Sequence, residues 1–253
     1  MPSNVSQRQN NKLESDESVR TARTGIRGRP RADALTSDRR SQILKVSARL
    51  FAEYGFENTS VRQIADEVNL LAGSLYHHFA TKEDILHEIL QEPLRRIVED
   101  NIAITKLQVD AEHKLIINTI TRFRRHVYDG HFDSIILNDG NFFRRRADFA
   151  YVQKAKQRVF DLLETILKDG MVAGLFHPGI DTYLMIGTIA RILASAAAWF
   201  RSGDIYTSDK PASYSFDRVL DFHLDCILRM IRTPSRLNEP IPREACERLA
   251  LLV

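Results

Sequence analysis

Ser60-Val61-Arg62-Gln63-Ile64-Ala65-Asp66-Glu67-Val68-Asn69-Leu70-Leu71-Ala72-Gly73-Ser74-Leu75-Tyr76-His77-His78-Phe79 is the stretch that decides the fold. Ser60 and Gln63 have the spacing of a capping box, in which two free N–H groups at a helix start are satisfied reciprocally. Val61, Ile64, Ala65 and Val68 then fall on one helical face. A break at Asn69-Leu70 precedes a second short helix, expected from Ala72 to Phe79. On its wheel, Leu75, Phe79 and Ala72 form the inner edge. Gly73 and His77 point outward, and Ser74, Tyr76 and His78 lie on the flanks. A small, polar outer edge can enter a major groove closely.

Working outward, Ile43, Val46, Leu50 and Tyr54 give a buried stripe for a helix over 38–54, and Gly55 supplies the residue that ends it. Thr36 or Ser37 is the expected cap. After the short pair, Thr81 caps a long helix from Lys82 to about Leu107, with Pro93 expected to kink it. Helical periodicity continues at about 111–128, 132–143, 147–173, 181–200 and 216–231, with a shorter candidate at 243–251. Sustained strand alternation is absent, so the expected fold is all-α. Its expected parts are a basic, unstructured arm (1–36), a three-helix domain (37–98, with the helix-turn-helix at 60–79), a longer helical domain that carries the candidate ligand-pocket and dimer-seam residues (99–232) and a tail (233–253).

The bulk properties agree. The 253 residues are enough to bury a sizeable core, and 43% hydrophobic with 27% charged is ordinary globular composition. A net charge of +3 says little by itself. Its distribution says more: five arginines and no acid lie between Arg20 and Arg31. Cys226 and Cys246 cannot build a disulfide framework, and the N-terminus lacks an apolar signal core, so a reducing, cytoplasmic setting is expected. Asp181 and Arg191 interrupt the most apolar stretch, and no membrane partner is expected.

From Ile43 to Leu86 the chain resembles the N-terminal domain of the TetR family of regulators. The resemblance is carried by Ile43-Leu44, Ala48, Leu50-Phe51-Ala52-Glu53-Tyr54-Gly55-Phe56, Thr59-Ser60-Val61-Arg62-Gln63-Ile64-Ala65, Gly73-Ser74-Leu75-Tyr76-His77-His78-Phe79 and Lys82-Glu83-Asp84. It departs at Leu71, where many relatives have a serine or threonine cap, which should weaken the helix start by about 1 kcal/mol. The resemblance implies phosphate contacts at Thr59, Ser60, Tyr76, His78 and Lys82, and base reading by Gly73, Ser74 and His77. It implies operator DNA and a homodimer as partners, since paired half-sites suit two reading helices. Repression is the sign it favours. Leu70 to Glu83 is further similar to the branch that represses lipid and steroid catabolism, which implies an acyl-coenzyme A effector.

Arg27-Gly28-Arg29-Pro30-Arg31 resembles the core of an AT-hook, so Arg27, Arg29 and Arg31 are candidates for a minor-groove grip. Farther along, the 216–231 stripe and the small residues of 181–200 are candidates for a dimer seam. Phe123, Phe143, Arg191 and Trp199 are the candidate ligand residues. Arg191 stands mid-helix among apolar neighbours, where it needs a carboxylate, the surface or an anion. Arg122, Arg124, Arg125 and Arg144-Arg145-Arg146 form either a solvated face or an anion site. No Gly-rich phosphate loop, zinc spacing or nucleophile elbow occurs, so neither enzyme activity, a catalytic residue, a cofactor nor a metal is expected. Two alternatives remain: a drug-efflux regulator answering a xenobiotic, and a DNA-binding protein that needs no ligand.

Overall fold

The computed structural model describes residues 29–128, 131–202 and 214–253, with side chains from residue 38 to 200 (129 and 130 excepted) and from 214 onward. Eleven α-helices follow one another among them: α1 Arg29–Tyr54, α2 Val61–Glu67, α3 Ala72–Leu75, α4 Lys82–Lys106, α5 Ala111–Tyr128, α6 His131–Asn138, α7 Gly140–Arg145, α8 Ala150–Val172, α9 Thr182–Ser202, α10 Phe216–Ile231 and α11 Arg243–Ala250. The extended backbone among the described residues amounts to one isolated bridge between Phe176 and Arg232. The all-α expectation holds.

Several boundaries differ from the sequence expectation, each for a local reason. The first helix begins at Arg29 rather than near Asp38. Pro30 stands in its first turn, where a fixed φ and a missing N–H suit a helix start. The residues 29–36 expected to extend the arm are therefore helical. The second short helix is only four residues long, and tight turns carry the chain on to Phe79. Leu71 offers no side-chain cap, and His77 N–H and His78 N–H bond three residues back, to Ser74 and Leu75. The helix expected over 132–143 divides at Asp139 into α6 and α7. The helix over 82–106 runs on through Pro93.

The chain divides into two units, 1–38 and Arg39–Val253. The second unit holds two apolar clusters. One gathers Ile43, Phe51, Ile64, Leu75, Phe79 and Leu86 from α1–α4, together with Phe132, Ile135, Phe143, Phe149 and Val152 from α6–α8. The core expected for residues 37–98 alone thus extends beyond them. The other cluster is built on α5, α8, α9 and α10. Val219, Leu220, Leu224, Ile227, Leu228 and Ile231 of α10 are buried in it. The apolar stripe expected at a dimer seam is therefore the subunit's own core, and α10 exposes Phe222 and Met230 instead.

The 233–253 segment is no loose tail. Its α11 packs on α5 and buries Cys246. Arg232 joins this end to the core: its guanidinium meets the Glu112 carboxylate at 2.7 and 3.0 Å, with both side chains about 96–97% buried. The Arg232 Nη1–H also donates to Glu239 O at 2.6 Å. Close approach of the chain before α9 depends on Gly170, where an added Cβ would stand 2.1 Å from the Phe176 ring.

Candidate DNA interface and effector cavity

Ser60 caps α2 in the expected capping box: its N–H donates to Gln63 Oε1 at 2.7 Å and its hydroxyl oxygen accepts from Gln63 N–H at 3.2 Å. Asn69, at φ +55°, turns the chain toward α3. Asparagine tolerates this left-handed conformation better than most residues. Leu75 and Phe79 are buried, whereas Gly73, Tyr76 and His77 are exposed and Ser74 and His78 are half-buried. Space around Gly73 is open within 4 Å. The outward edge read from the wheel is the edge the fold presents.

Polar side chains hold this segment chiefly by its backbone. The Lys82 ammonium donates to Phe56 O and Thr59 O, each at 2.7 Å, and lies 4.2 Å from the centre of the Phe56 ring. Burial pushes its pKa down, with Glu83, Glu57 and Asp139 opposing. Its ammonium carries a third donor beyond these two. Arg40 stacks on Phe79, donates to His78 O and pairs with Glu88, so it ties α1 and α4 to the end of the reading turn. Arg39 reaches Val68 O at 3.4 Å, and Arg49 pairs with Glu67 at 2.7 Å. None of these three arginines belongs to the residues singled out from sequence. The contacts to His78, Glu88, Val68 and Glu67 are long-range, and no local spacing announces them.

One expected phosphate contact is overturned. Thr59 is 1% exposed, and its hydroxyl donates toward Gly55 O at 2.9 Å and Leu50 O at 3.3 Å. It closes the α1–α2 corner, where Gly55 takes φ +84°. Of the arm residues, Arg29 and Arg31 fall in the first turns of α1, and Arg27 lies outside the described residues.

An apolar cavity of about 340 Å³ lies among α4, α5, α6, α8 and α9. Leu94, Ile97 and Val98 face it from α4, Phe132 and Ile136 from α6, and Val159, Phe160 and Leu163 from α8. The volume is at the lower end of the range of about 300–1,000 Å³ usual for small-molecule sites. Its polar wall is Asn118, Arg122, His126, Asp133 and Lys156. Asn118 donates to Asn101 Oδ1 at 2.8 Å, and Asp133 sits between Arg122, at 3.8 Å, and His126.

None of the four expected ligand residues lines this cavity. Phe123 is fully buried against Phe216 and His223. Phe143 packs on Phe142 and Phe149 in the other apolar cluster. Trp199 meets Tyr214 edge-on. Aromatic periodicity marked core there, as it does in most helical proteins. Arg191 is exposed and borders a smaller cavity of about 260 Å³, which shares His126, Asp133, Leu137 and Ala194 with the larger one.

Two helices belong to both sites. α4 carries Lys82 and Glu88 at one end and the cavity residues 94, 97 and 98 farther on. α6 lines the cavity and ends in Asn138, whose amide donates to Ala52 O at 3.2 Å; Asp139 follows, and its Oδ2 accepts the Phe56 N–H at 3.1 Å. Burial raises the Asp139 pKa against that hydrogen bond. α9 is long and apolar enough to cross a membrane by length and composition alone, yet one face packs on α5, α8 and α10.

Two short helices with an outward polar edge, joined to a helical domain that encloses an apolar cavity, define a helix-turn-helix protein with a ligand-sized site. Residues 43–89 match the family described as bacterial regulatory proteins, tetR family. The chain therefore carries a DNA-binding domain of the TetR type, that of a transcriptional regulator. It is similar to the transcriptional repressor KstR2 of Rhodococcus jostii, 28% identical over 202 residues that cover 73% of this chain and 91% of that one. A fatty acid metabolism regulator protein of Bacillus subtilis is 26% identical over 161 residues, covering 58% and 78%. The solved structure of the ketosteroid transcriptional regulator KstR2 of Mycobacterium tuberculosis superposes with a TM-score of 0.67 at 25% identity, covering 77% of this chain and 95% of that one.

Proposed function

We propose that a homodimer of this protein holds an operator closed until a hydrophobic molecule with an acidic head, of the acyl-coenzyme A type, enters the cavity. The observation that carries this reading is the sharing of α4 and α6 between cavity and reading segment. An occupant that displaces Phe132 or Ile136 strains the same helix that ends at the Phe56 N–H and Ala52 O contacts. The relatives named for ketosteroid and fatty acid regulation support an apolar ligand.

Gly73, Ser74 and His77 read base edges in this proposal. Ser60, Tyr76, His78 and the remaining Lys82 donor hold phosphates. Arg27 and its neighbours before α1 supply the arm. The second copy docks on the face of α9 and α10 that exposes Leu184, Thr188, Phe222 and Met230, which spaces two reading edges for paired half-sites. The protein works in the cytoplasm, on the nucleoid, with no catalytic activity.

Operator DNA identified by mapping bound sites, labelled and titrated with the protein, tests the reading. A panel of acyl-coenzyme A thioesters and steroid acids is then added. Release by at least one member is expected. Retention of the operator against the whole panel would count against an amphiphilic effector, and release by a drug-like organic cation would favour the efflux alternative.

A further inference from the structure

Two asparagines at the wall of the larger cavity form a hydrogen-bonded chain whose direction is fixed. The Ile97 carbonyl oxygen can only accept, so Asn101 must present its Nδ2 to it, at 2.7 Å. That leaves Asn101 Oδ1 as an acceptor, and it takes Asn118 Nδ2 at 2.8 Å. Asn118 Oδ1 is the open end of the chain, and among the described residues nothing donates to it. Both residues are 1% exposed, and Asn118 borders the cavity. A buried acceptor without a donor is costly, and the cavity is the space from which a donor can reach this one.

Arg122 stands one turn farther along α5, on the same helix face, and borders the same cavity. Its side chain is only 17% exposed, yet its contact with Asp133 is 3.8 Å long and it makes no hydrogen bond among the described residues. The wall thus sets an acceptor beside a group of N–H donors. A hydroxyl satisfies both, since it accepts from Arg122 while donating to Asn118. A ketone uses Arg122 alone and turns its oxygen against Asn118 Oδ1. An anion does the same and also meets the Asp133 carboxylate in this wall.

We infer that Asn118 and Arg122 form a subsite for a hydroxyl group carried on the apolar part of the ligand. The inference rests on the proposed reading of the cavity as the effector site. It adds the polar group that the enclosed part of the effector carries, and it leaves the acidic head outside this wall. Ile97 and Asn101 belong to α4, so the hydroxyl completes a line of hydrogen bonds from the ligand to the helix shared with the reading segment.

2-Decalol and 2-decalone have the same fused-ring skeleton and differ in one group, which donates in the alcohol and only accepts in the ketone. Their binding to the full-length protein, measured by calorimetry, tests the subsite. The alcohol should bind about tenfold or more tightly than the ketone. Asn118→Leu removes the acceptor at similar volume and should bring the two within about threefold of each other. Arg122→Met should weaken both by about threefold or more and leave the alcohol the tighter of the two. The alcohol-to-ketone ratio in the unsubstituted protein decides the hydroxyl assignment even if thermal melts show that the leucine variant does not fold. Ketone binding as tight as that of the alcohol would overturn the subsite and leave the cavity reading intact. An alcohol preference that persists in folded Asn118→Leu, or affinities that Arg122→Met leaves unchanged, would do the same. Binding of neither compound would overturn both.

Discussion

The two apolar clusters are held by polar groups of different kinds. Around the reading segment, side chains chiefly address the main chain: Lys82 donates to Phe56 O and Thr59 O, Arg40 to His78 O, Asn138 to Ala52 O, and Asp139 accepts from Phe56 N–H. In the cavity half, side chains address each other: Arg232 with Glu112, Arg125 with Asp100 at 2.6 Å, Asn118 with Asn101. Contacts to backbone fix where a turn lies whatever its outward side chains are. Contacts between side chains join whole helices and leave room between them. One half is therefore built to hold a shape, and the other to enclose a space.

The strongest way to break this contrast is at Glu112. Glu112→Gln leaves the buried Arg232 cation without its counter-charge, and a loss of about 3–5 kcal/mol in urea unfolding is expected. Glu112→Leu combined with Arg232→Met should cost much less, since an apolar pair of similar volume avoids the buried charge. Lys82→Met is next. It removes two charge-assisted bonds to backbone on a half-buried group, for about 1–2 kcal/mol. Operator affinity, followed by fluorescence anisotropy, should fall by more than this stability change explains, because the α1–α2 corner loses its anchor.

A finer test lies at the junction. Asp139→Leu removes the acceptor of the Phe56 N–H and should blunt ligand-driven release at a stability cost of about 1 kcal/mol. The pH dependence gives a second readout. Because burial raises the Asp139 pKa, the fold binds this proton more tightly than the unfolded chain does. Its contribution to stability is therefore full below the usual 3.8 and is lost as pH rises through the raised value. Asp139→Asn should remove that part of the decline in a pH series of melts.

Gly73→Ala sharpens the comparison from the other side. The position is open and helical, so stability should rise or stay within about 1 kcal/mol, while operator binding weakens as the added methyl holds the helix off the groove. The smallest effect concerns the thiols. Burial pushes the Cys246 pKa up to about 12, so iodoacetamide at pH 8 should leave it unmodified in the folded protein and label Cys226 first.

The same contrast governs what was legible in the sequence. Capping at Ser60–Gln63 and Thr81–Asp84 is local, so the starts of α2 and α4 could be read directly. The wheel placed Gly73 and His77 outward, because three residues of packing on Leu75 and Phe79 settle a short helix. Thr59 misled because its two partners, Leu50 O and Gly55 O, exist only once the corner has closed. In the cavity half, periodicity separates buried from exposed but not packed from cavity-lining. Phe123, Phe143 and Trp199 carry the same pattern as Phe132 and Phe160. Arg191, a charge in an apolar run, meets its need for polar surroundings by facing solvent, which periodicity alone does not announce.

The four-residue α3 carries one more consequence. A single uncapped turn has no cooperative stability of its own, so its geometry is borrowed from Arg40, Leu75 and Phe79. Residues 73 and 77, which face outward, take almost no part in that loan. Mutational drift at those positions can retune which operator is read at little cost to folding, and a lineage carrying this scaffold can acquire new target genes one substitution at a time.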